Sequence, residues 1–385
     1  MRLAVYTDYE YRSDGVRRYG QRAFVVFLEA LRPHVERLVL VGRFDPEPGT
    51  SHYPLHDDTE LVGLPHYENL TQPLSVARSL FGSLVRFWRL LDEVDTVWVL
   101  GPYPHSVALA LLTALRRRRL ILGVRQDMPL YVRSRRPERR WMHFGADVLE
   151  AIWRLLARRY AVVVVGPELE RKYLQGHARR VLATTVSLVS AEDLSDPDEA
   201  LARRDYSGRL TLLTAGRLDA EKNPLLLADI VARLRADGRD WRLLVCGDGP
   251  MRAELEVHIA ALGLGEAIEL LGYVPIDGGL LDLYRNSHAF LHVSLTEGFP
   301  QVLVEAFASG LPAVATAVGG VAAAAGDAAL LIEPQDAAAA AEALERIASD
   351  AQLRERLVRA GIERAGEGTL EASSLRLTEF LESSP

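Results

Sequence analysis

Short apolar runs alternate with longer amphipathic stretches from one end of this 385-residue chain to the other. Fully apolar runs are typical of strands buried on both faces, and apolar residues three and four positions apart indicate helices. We predict strands over residues 3–7, 37–41, 60–64, 96–100, 120–124, 161–165, 210–215, 241–246, 267–271, 289–293, 313–316 and 329–332. We predict helices over residues 15–31, 74–91, 105–115, 141–159, 224–235, 251–262, 300–308 and 336–348. This alternation predicts an α/β protein with parallel sheets covered on both faces.

An acidic stretch with a proline, residues 190–198, separates two such series and lacks their periodicity. A chain of this length exceeds what one hydrophobic core supports. We therefore expect two Rossmann-like, doubly wound domains, residues 1–190 and 191–367, facing each other across a cleft. Ligands of such sheets bind at the carboxyl ends of the strands, so the loops that follow strands are the candidate site.

Charge divides the chain as well. Residues 1–185 hold 28 Lys/Arg and 20 Asp/Glu, whereas the remainder holds 17 and 32. The acidic second half argues against nucleic acid as a partner. The basic first half, with arginine-rich segments at 78–89, 116–119 and 133–140, fits peripheral contact with an anionic membrane or solvated arginines over a core-facing stripe, and both alternatives stay open.

Cys246 is the sole cysteine, so a disulfide framework is excluded and a reducing compartment is the default. We find neither a signal-peptide pattern nor an apolar run of the roughly 18 residues that spanning a bilayer requires. We expect a cytoplasmic protein, with the inner membrane face as the place of any peripheral contact.

The loop after the predicted strand 210–215 carries two cations, Arg217 and Lys222, before a helix that begins with a proline. Negative charge grows on a diphosphate as it departs, and a pair of cations stabilises it. The alternative is two surface cations at a helix start, which the helix dipole disfavours. We therefore favour a diphosphate clamp.

A second loop, Glu297-Gly-Phe-Pro-Gln-Val-Leu-Val-Glu305, runs from a strand through a Gly/Pro turn into a helix. It places two carboxylates and the free N–H groups of a helix N-terminus together, which suits a ligand that is part sugar and part phosphate. Gly247 and Gly249 follow another strand and permit close backbone approach, although such a turn alone is a weak signal. The glycine pair at 319–320 follows the next strand.

These motifs, with residues 313–320, resemble the retaining GT-B glycosyltransferases of glycosyltransferase family 4, also called glycosyl transferases group 1. The resemblance implies a nucleotide-sugar donor on the second domain and an acceptor on the first. It implies that Arg217 and Lys222 hold the diphosphate and that Glu305 binds the ribose. Glu297 and the neighbouring turn would meet the sugar. The donor site implied in this way also includes Gly216, Gly247, Gly249, Gly298, Phe299, Pro300 and Gln301.

The family resemblance is looser in the first half. Gly15 follows the first strand and is expected to open a helix against a phosphate. His105 would contact the donor sugar, or else cap or pack a helix. Asp127 would lie on the acceptor side with Arg125, which with Gln126 replaces the histidine expected in this loop and indicates an unusual acceptor. The last helix, within residues 368–385, is expected to pack back on the first domain.

The predicted function is transfer of a sugar, with retention of configuration, from a UDP- or GDP-linked donor to an acceptor hydroxyl in carbohydrate biosynthesis. Glycans, glycolipids and natural-product glycosides are the product classes considered. We expect no metal and no tightly bound cofactor. The alternatives are a phosphorylase-like or hydrolytic GT-B enzyme, and a nucleotide-sugar-binding protein without transfer activity. The sequence leaves open the donor base and sugar, the acceptor, the linkage and the oligomeric state.

Overall fold

The computed structural model describes residues 1–385 except 23, 52, 67–72, 136, 237 and 385, and it leaves out the side chains of residues 73, 75, 76, 134, 135 and 277. Arg136 of the predicted basic segment thus lies outside the described residues. The chain forms two compact units. Unit 1 is Met1–Leu188 with Leu370–Pro385, and unit 2 is Val189–Thr369.

Unit 1 contains a mixed sheet with helices packed on it. Its strands are β1 (Arg2–Ser13), β2 (Arg18–Gly20), β3 (Arg37–Phe44), β4 (Tyr53–Pro54), β5 (Glu60–Pro65), β6 (Thr96–Gly101), β7 (Arg119–Val124), β8 (Ala161–Val165) and β9 (Arg180–Thr184). Its helices before the crossing to unit 2 are α1 (Phe24–Glu29), α2 (Pro73–Leu90), α3 (Pro104–Leu115), α4 (Met128–Arg135), α5 (Arg140–Ala157) and α6 (Pro167–Gln175). Parallel pairing gives the order β5-β3-β1-β6-β7-β8-β9.

The start of unit 1 differs from the prediction. Instead of a helix over residues 15–31, β1 continues to Ser13 and forms an antiparallel hairpin with β2, which pairs in turn with β4. Gly15 lies in the exposed hairpin turn with φ +92, and Asp14 Oδ1 accepts hydrogen bonds from the N–H groups of Val16 and Arg17. Asp-Gly is a strong turn signal, and it outweighs the helical pattern around it. The prediction that Gly15 opens a helix is therefore wrong.

Unit 2 contains a second parallel sheet. Its helices are α7 (Pro197–Ala202), α8 (Pro224–Ala236), α9 (Arg252–Ala261), α10 (Leu281–Asn286), α11 (Gln301–Ala308), α12 (Val321–Ala325), α13 (Ala337–Ser349) and α14 (Ala351–Gly366). Its strands are β10 (Leu210–Ala215), β11 (Trp241–Cys246), β12 (Ile268–Gly272), β13 (Ala289–His292), β14 (Ala313–Thr316) and β15 (Ala329–Ile332). The strand order is β12-β11-β10-β13-β14-β15, the doubly wound arrangement. The predicted α/β class with two Rossmann-like domains is confirmed, and the sheet of unit 1 is parallel except for β2 and β4.

A buried arginine ties several elements of unit 2 together. The Arg204 guanidinium donates to the backbone carbonyls of Ala200, Tyr284, Ser287, Ser309 and Gly310. Burial lowers the pKa of Arg204 to about 10, so the side chain stays charged at neutral pH. Carbonyl dipoles from the ends of α7, α10 and α11 thus solvate a charge that has no carboxylate partner among the described residues.

The chain ends with helix α15 (Leu370–Ser383), which belongs to unit 1 and packs against α1 and β9. Leu377, Phe380 and Leu381 are buried there in one apolar cluster with Leu3 and Val5 of β1. Burial of these side chains anchors the end of the chain to the sheet with which the chain begins.

Candidate functional site

A cavity of about 300 Å³ opens at the carboxyl ends of β10 and β13 in unit 2. Loops after these strands form its walls with the N-terminal ends of α8 and α11. The predicted site residues that line the cavity are Gly216, Arg217, Lys222, Glu297, Phe299, Pro300 and Gln301. Two segments about 75 positions apart in the sequence therefore meet at one sheet edge, as parallel topology requires.

Lys222 and Glu297 form an ion pair at the wall of this cavity. The loops that carry them are also joined by the backbone, since the N–H group of Leu295 donates to the Glu221 carbonyl at 2.8 Å. Burial by itself would raise the pKa of Glu297, but the hydrogen bond with His292 and the charge of Lys222 outweigh it and lower the pKa below its usual value of 4.5. Glu297 is therefore an ionised acceptor at neutral pH.

Arg217 reaches the cavity from the same loop as Lys222. Its side chain is 55% exposed, and it pairs with Asp219 at 2.6 Å and with Glu221 at 3.0 Å. Exposed pairs of this kind contribute little stability, so an incoming anion can displace the carboxylates at small cost. The two cations and the positive end of α11, which has no acidic residue in its first turn, thus lie at this end of the cavity.

The sequence prediction missed His292 and Ser294. His292 is buried at the end of β13, with Nε2 3.3 Å from Glu297 Oε2 and 3.2 Å from Ser294 Oγ, and both residues line the cavity. The backbone carbonyl of Ser294 accepts from Thr316 Oγ1 at 2.7 Å. A polar pair at the end of an otherwise apolar strand was the signal in the sequence that pointed to them.

Three further glycines, Gly247, Gly249 and Gly319, contact the backbone of the loops that line the cavity. Gly247 has φ +144, and a Cβ there would overlap the Gly216 carbonyl oxygen. Gly249 similarly contacts the backbone of Leu218. A Cβ at Gly319 would overlap the Glu297 carbonyl oxygen, so only glycine permits this loop contact. Gly247, Gly249 and the exposed Gly298 are not lining residues of the cavity.

Glu305 is buried in the second turn of α11 and does not line the cavity. Its Oε2 accepts a hydrogen bond from the Tyr284 hydroxyl at 2.9 Å. Burial raises the pKa of Glu305 to about 7, although the hydrogen bond from Tyr284 works in the opposite direction. Of the four charged residues predicted for the donor site, Glu305 is buried away from the cavity. The other three, which line the cavity, are Arg217, Lys222 and Glu297.

His105 lies in the core of unit 1, near the start of α3. It is 1% exposed, and its Nε2 lies 3.3 Å from Ser79 Oγ of α2. Burial, with a smaller contribution from Arg43, lowers the pKa of His105 to about 4, so the imidazole is neutral at physiological pH. The structure places the His105 side chain in the interior of unit 1, and its contact with a donor sugar stays a prediction.

Asp127 and Arg125 follow β7 at the carboxyl edge of the unit 1 sheet. Asp127 Oδ1 accepts from the N–H group of Leu130 at the start of α4, and Oδ2 pairs with Lys172 at 2.8 Å. Lys172 also pairs with the buried Glu150 at 2.8 Å. Asp127 therefore holds α4 and α6 in place, whereas Arg125 lies over the ring of Phe24 at 4.2 Å and has no carboxylate partner among the described residues.

Residues 202–364 match the family model described as "Glycosyl transferases group 1". The chain is 38% identical over 125 residues to the phosphatidylinositol N-acetylglucosaminyltransferase gpi3 subunit of Schizosaccharomyces pombe, covering 32% of this chain and 26% of the relative. It is 34% identical over 206 residues to the D-inositol 3-phosphate glycosyltransferase of Nocardia farcinica, covering 48% of this chain and 45% of the relative. The chain thus spans less than half the length of these curated relatives.

Solved structures resemble the whole chain. Sucrose-phosphate synthase from Thermosynechococcus elongatus superposes with a TM-score of 0.74 at 19% identity, covering 99% of this chain and 98% of that one. Anabaena HepE in complex with UDP gives a TM-score of 0.73 at 16% identity, with full coverage of both chains. Residues 202–364 thus match the glycosyl transferases group 1 family, and the two units have the GT-B fold.

Proposed function

We propose that this protein is a retaining glycosyltransferase that uses a nucleotide-diphosphate sugar and transfers the sugar to an acceptor hydroxyl. The observation that carries the proposal is the cavity of unit 2, where Arg217, Lys222 and Glu297 meet at the sheet edge inside the segment that matches the family. A cationic wall beside an ionised carboxylate suits a ligand with an anionic half and a hydroxylated half.

In this proposal Lys222 and Arg217 bind the diphosphate, and α11 directs its positive end toward it. Negative charge on the departing diphosphate grows as the glycosidic bond breaks, so fixed cations stabilise the transition state more than the bound donor. Lys222 would then be shared between Glu297 and a phosphate oxygen. This positive charge makes a metal ion unnecessary in the proposed reaction.

Glu297 is proposed to orient the sugar rather than to attack it. Its carboxylate is held by Lys222 and His292, which leaves acceptor lone pairs for sugar hydroxyls. For retention we propose attack from the face that the diphosphate leaves, with a phosphate oxygen taking the acceptor proton. The ring passes through an oxocarbenium-like state, which the neighbouring anionic leaving group stabilises.

The Lys222→Ala variant tests the clamp. We expect release of UDP or GDP from the sugar donor to fall by roughly a hundredfold or more, because a preorganised charge at the leaving group is lost. The melting temperature should change little, since Glu297 keeps His292 as a partner. The measurement is nucleotide release with a panel of donors and hydroxyl acceptors, with UDP-sugars first because a solved neighbour holds UDP.

Arg233→Ala, which removes an exposed cation from α8, is the matched control and should keep wild-type turnover. Wild-type turnover in Lys222→Ala would refute the clamp.

Donor binding without nucleotide release across the whole acceptor panel would favour a binding protein. Release of sugar phosphate from a disaccharide and inorganic phosphate would favour a phosphorylase. The anomeric configuration of the product, read by NMR, tests retention.

A further inference from the structure

Three side chains with unpartnered hydrogen-bonding atoms surround one aromatic ring in unit 1. Arg125 Nε, the Tyr9 hydroxyl and Trp98 Nε1 are buried and have no hydrogen-bond partner among the described residues. The Phe24 ring lies 4.2 Å from the Arg125 guanidinium carbon, and its centroid lies 6.3 Å from that of Tyr9 and 6.2 Å from that of Trp98. A buried donor without a partner costs free energy, and three such donors around one ring would gain hydrogen bonds from a bound ligand.

Arg125 also lacks a counter-charge. Burial lowers its pKa to about 10, so it is still a cation at neutral pH. Its contacts are the faces of Phe24 and Tyr9, which stabilise a cation by roughly 0.5–2 kcal/mol and leave the Nε–H donor unused. Arg43, on the neighbouring β3, is by contrast held by Asp8. A bound anion would give Arg125 the negatively charged partner that Asp8 gives Arg43.

Arg125 and the aromatic rings around it lie at the edge of the unit 1 sheet where ligands commonly bind. Arg125 comes directly after β7, at the carboxyl edge where ligands of doubly wound sheets bind. A Cβ on Gly123 would lie 2.7 Å from Trp98 Nε1, so the indole covers β7 at Gly123. Arg125 is the first residue after β7. Arg125 is only partly buried, which gives an anion access to the guanidinium.

We propose that Arg125, Tyr9 and Trp98, which we call the Arg125 site, bind a phosphate group. Donors on three separate elements fit an anion with at least three acceptor oxygens, which a phosphate has and a carboxylate lacks. The further step, that this phosphate belongs to the acceptor, rests on the function proposed above. A soluble phosphate ester and a phospholipid headgroup present the same chemistry to the site.

The test measures phosphate binding to the full chain by isothermal titration calorimetry at constant ionic strength. UDP is present at saturation, so that the unit 2 cavity does not compete for the ligand. The probes are inorganic phosphate, glycerol 3-phosphate and phosphatidylglycerol vesicles. We expect one saturable site for at least one probe. Strong binding of glycerol 3-phosphate would support the site with a soluble ligand. Binding of vesicles alone would support it with a lipid if Arg125→Gln weakens that binding, and vesicle binding that Arg125→Gln leaves unchanged would count against the site.

Two variants separate recognition from folding. Arg125→Gln should weaken binding at least tenfold, which corresponds to about 1.4 kcal/mol. Tyr9→Phe removes a single hydroxyl and keeps the ring contacts, and we expect a loss of about threefold or more. Arg171→Gln, at an exposed position on α6, is the control and should bind as the wild type does.

Equal affinity in wild type, Arg125→Gln and Tyr9→Phe would overturn the proposal, and so would the absence of saturable phosphate binding to the UDP-saturated wild type. The proposed transfer activity is measured separately by nucleotide release. Loss of phosphate binding with normal turnover, or the reverse, therefore tells which of the two proposals has failed.

Discussion

At the scale of single residues, Glu305 shows how burial couples a carboxyl group to pH. Its pKa of about 7 in the folded protein lies above the value of 4.5 for a free carboxyl. Between these two pH values the folded state binds more protons than the unfolded state. Stability from this group is therefore greatest at low pH and is lost as the pH rises through about 7. Each unit of pKa difference corresponds to about 1.4 kcal/mol.

The Glu305→Gln variant should remove this dependence and keep an acceptor for the Tyr284 hydroxyl. We expect the variant and wild type to unfold alike near about pH 5, and the variant to gain roughly 2–3 kcal/mol over wild type by about pH 8.5. Urea unfolding of both proteins at the two pH values measures this difference in the free energy of unfolding. Glu254→Gln, at an exposed position on α9, is the control. A stability difference that stays constant with pH would contradict the assignment.

At the scale of elements, helix α5 has two apolar faces. Ala146, Trp153 and Ala157 are buried. Trp141 is 61% exposed, Phe144 72% and Val148 40%, at positions that share the opposite face of the helix. Leu130 and Tyr131 of α4, which packs beside α5, are also exposed. Exposed apolar side chains grouped in this way are typical of an interaction site.

We propose that this α4–α5 patch lies on an anionic bilayer, because the exposed Arg140 and Arg158 at the ends of α5 complement its charge. Among the described residues no helix meets the length and apolarity needed to cross a membrane. A Trp141→Ser, Phe144→Ser double variant should lose most of its sedimentation with phosphatidylglycerol vesicles. The control Val257→Ser, at a 71% exposed position on α9, should sediment as wild type does. Equal sedimentation of all three proteins would refute the contact.

At the scale of the whole molecule, the chain leaves unit 1 near Leu188 and returns to it at Leu370. The returning helix α15 is held by apolar burial and by Arg180, whose terminal nitrogens donate to Ser383 at 2.7 and 2.9 Å. The Arg180 guanidinium also lies 4.6 Å from the Phe380 ring centroid. Unit 1 is therefore complete only when the last residues of the chain are in place.

The Leu377→Ala variant should destabilise unit 1 by roughly 2–5 kcal/mol, the usual cost of removing a fully buried leucine side chain. Unit 2 should unfold as in wild type, because α15 contributes nothing to its core. Calorimetry that resolves the two transitions measures this difference. Leu375→Ala, at a 46% exposed position on the same helix, should change stability by less than about 0.5 kcal/mol. Equal effects of the two substitutions would contradict the assigned packing of α15.

The strands of unit 2 were the easiest elements to predict, because runs such as 210–215 and 241–246 are mostly apolar and too short for a helix. The first part of the segment 15–31 was predicted wrongly, because a two-residue turn signal competed with a longer helical pattern, whereas its second part contains α1. Arg217, Lys222 and Glu297 were predictable because each follows a strand. His292 stands at the end of a strand, where a polar residue in an apolar run was a weak signal, and its contact with Glu297 shows its place in the site.

The order of apolar and polar residues along the chain determined by itself the class of fold, the alternation of strands and helices, and the loops that carry charge. Local periodicity is sufficient for this, since each element buries its own apolar face. Only the tertiary structure decided that Glu305 and His105 are buried and that Asp127 forms an ion pair with Lys172. It also decided that Arg125 has no carboxylate partner among the described residues. Burial and pairing depend on residues far away in sequence, and no local pattern records them.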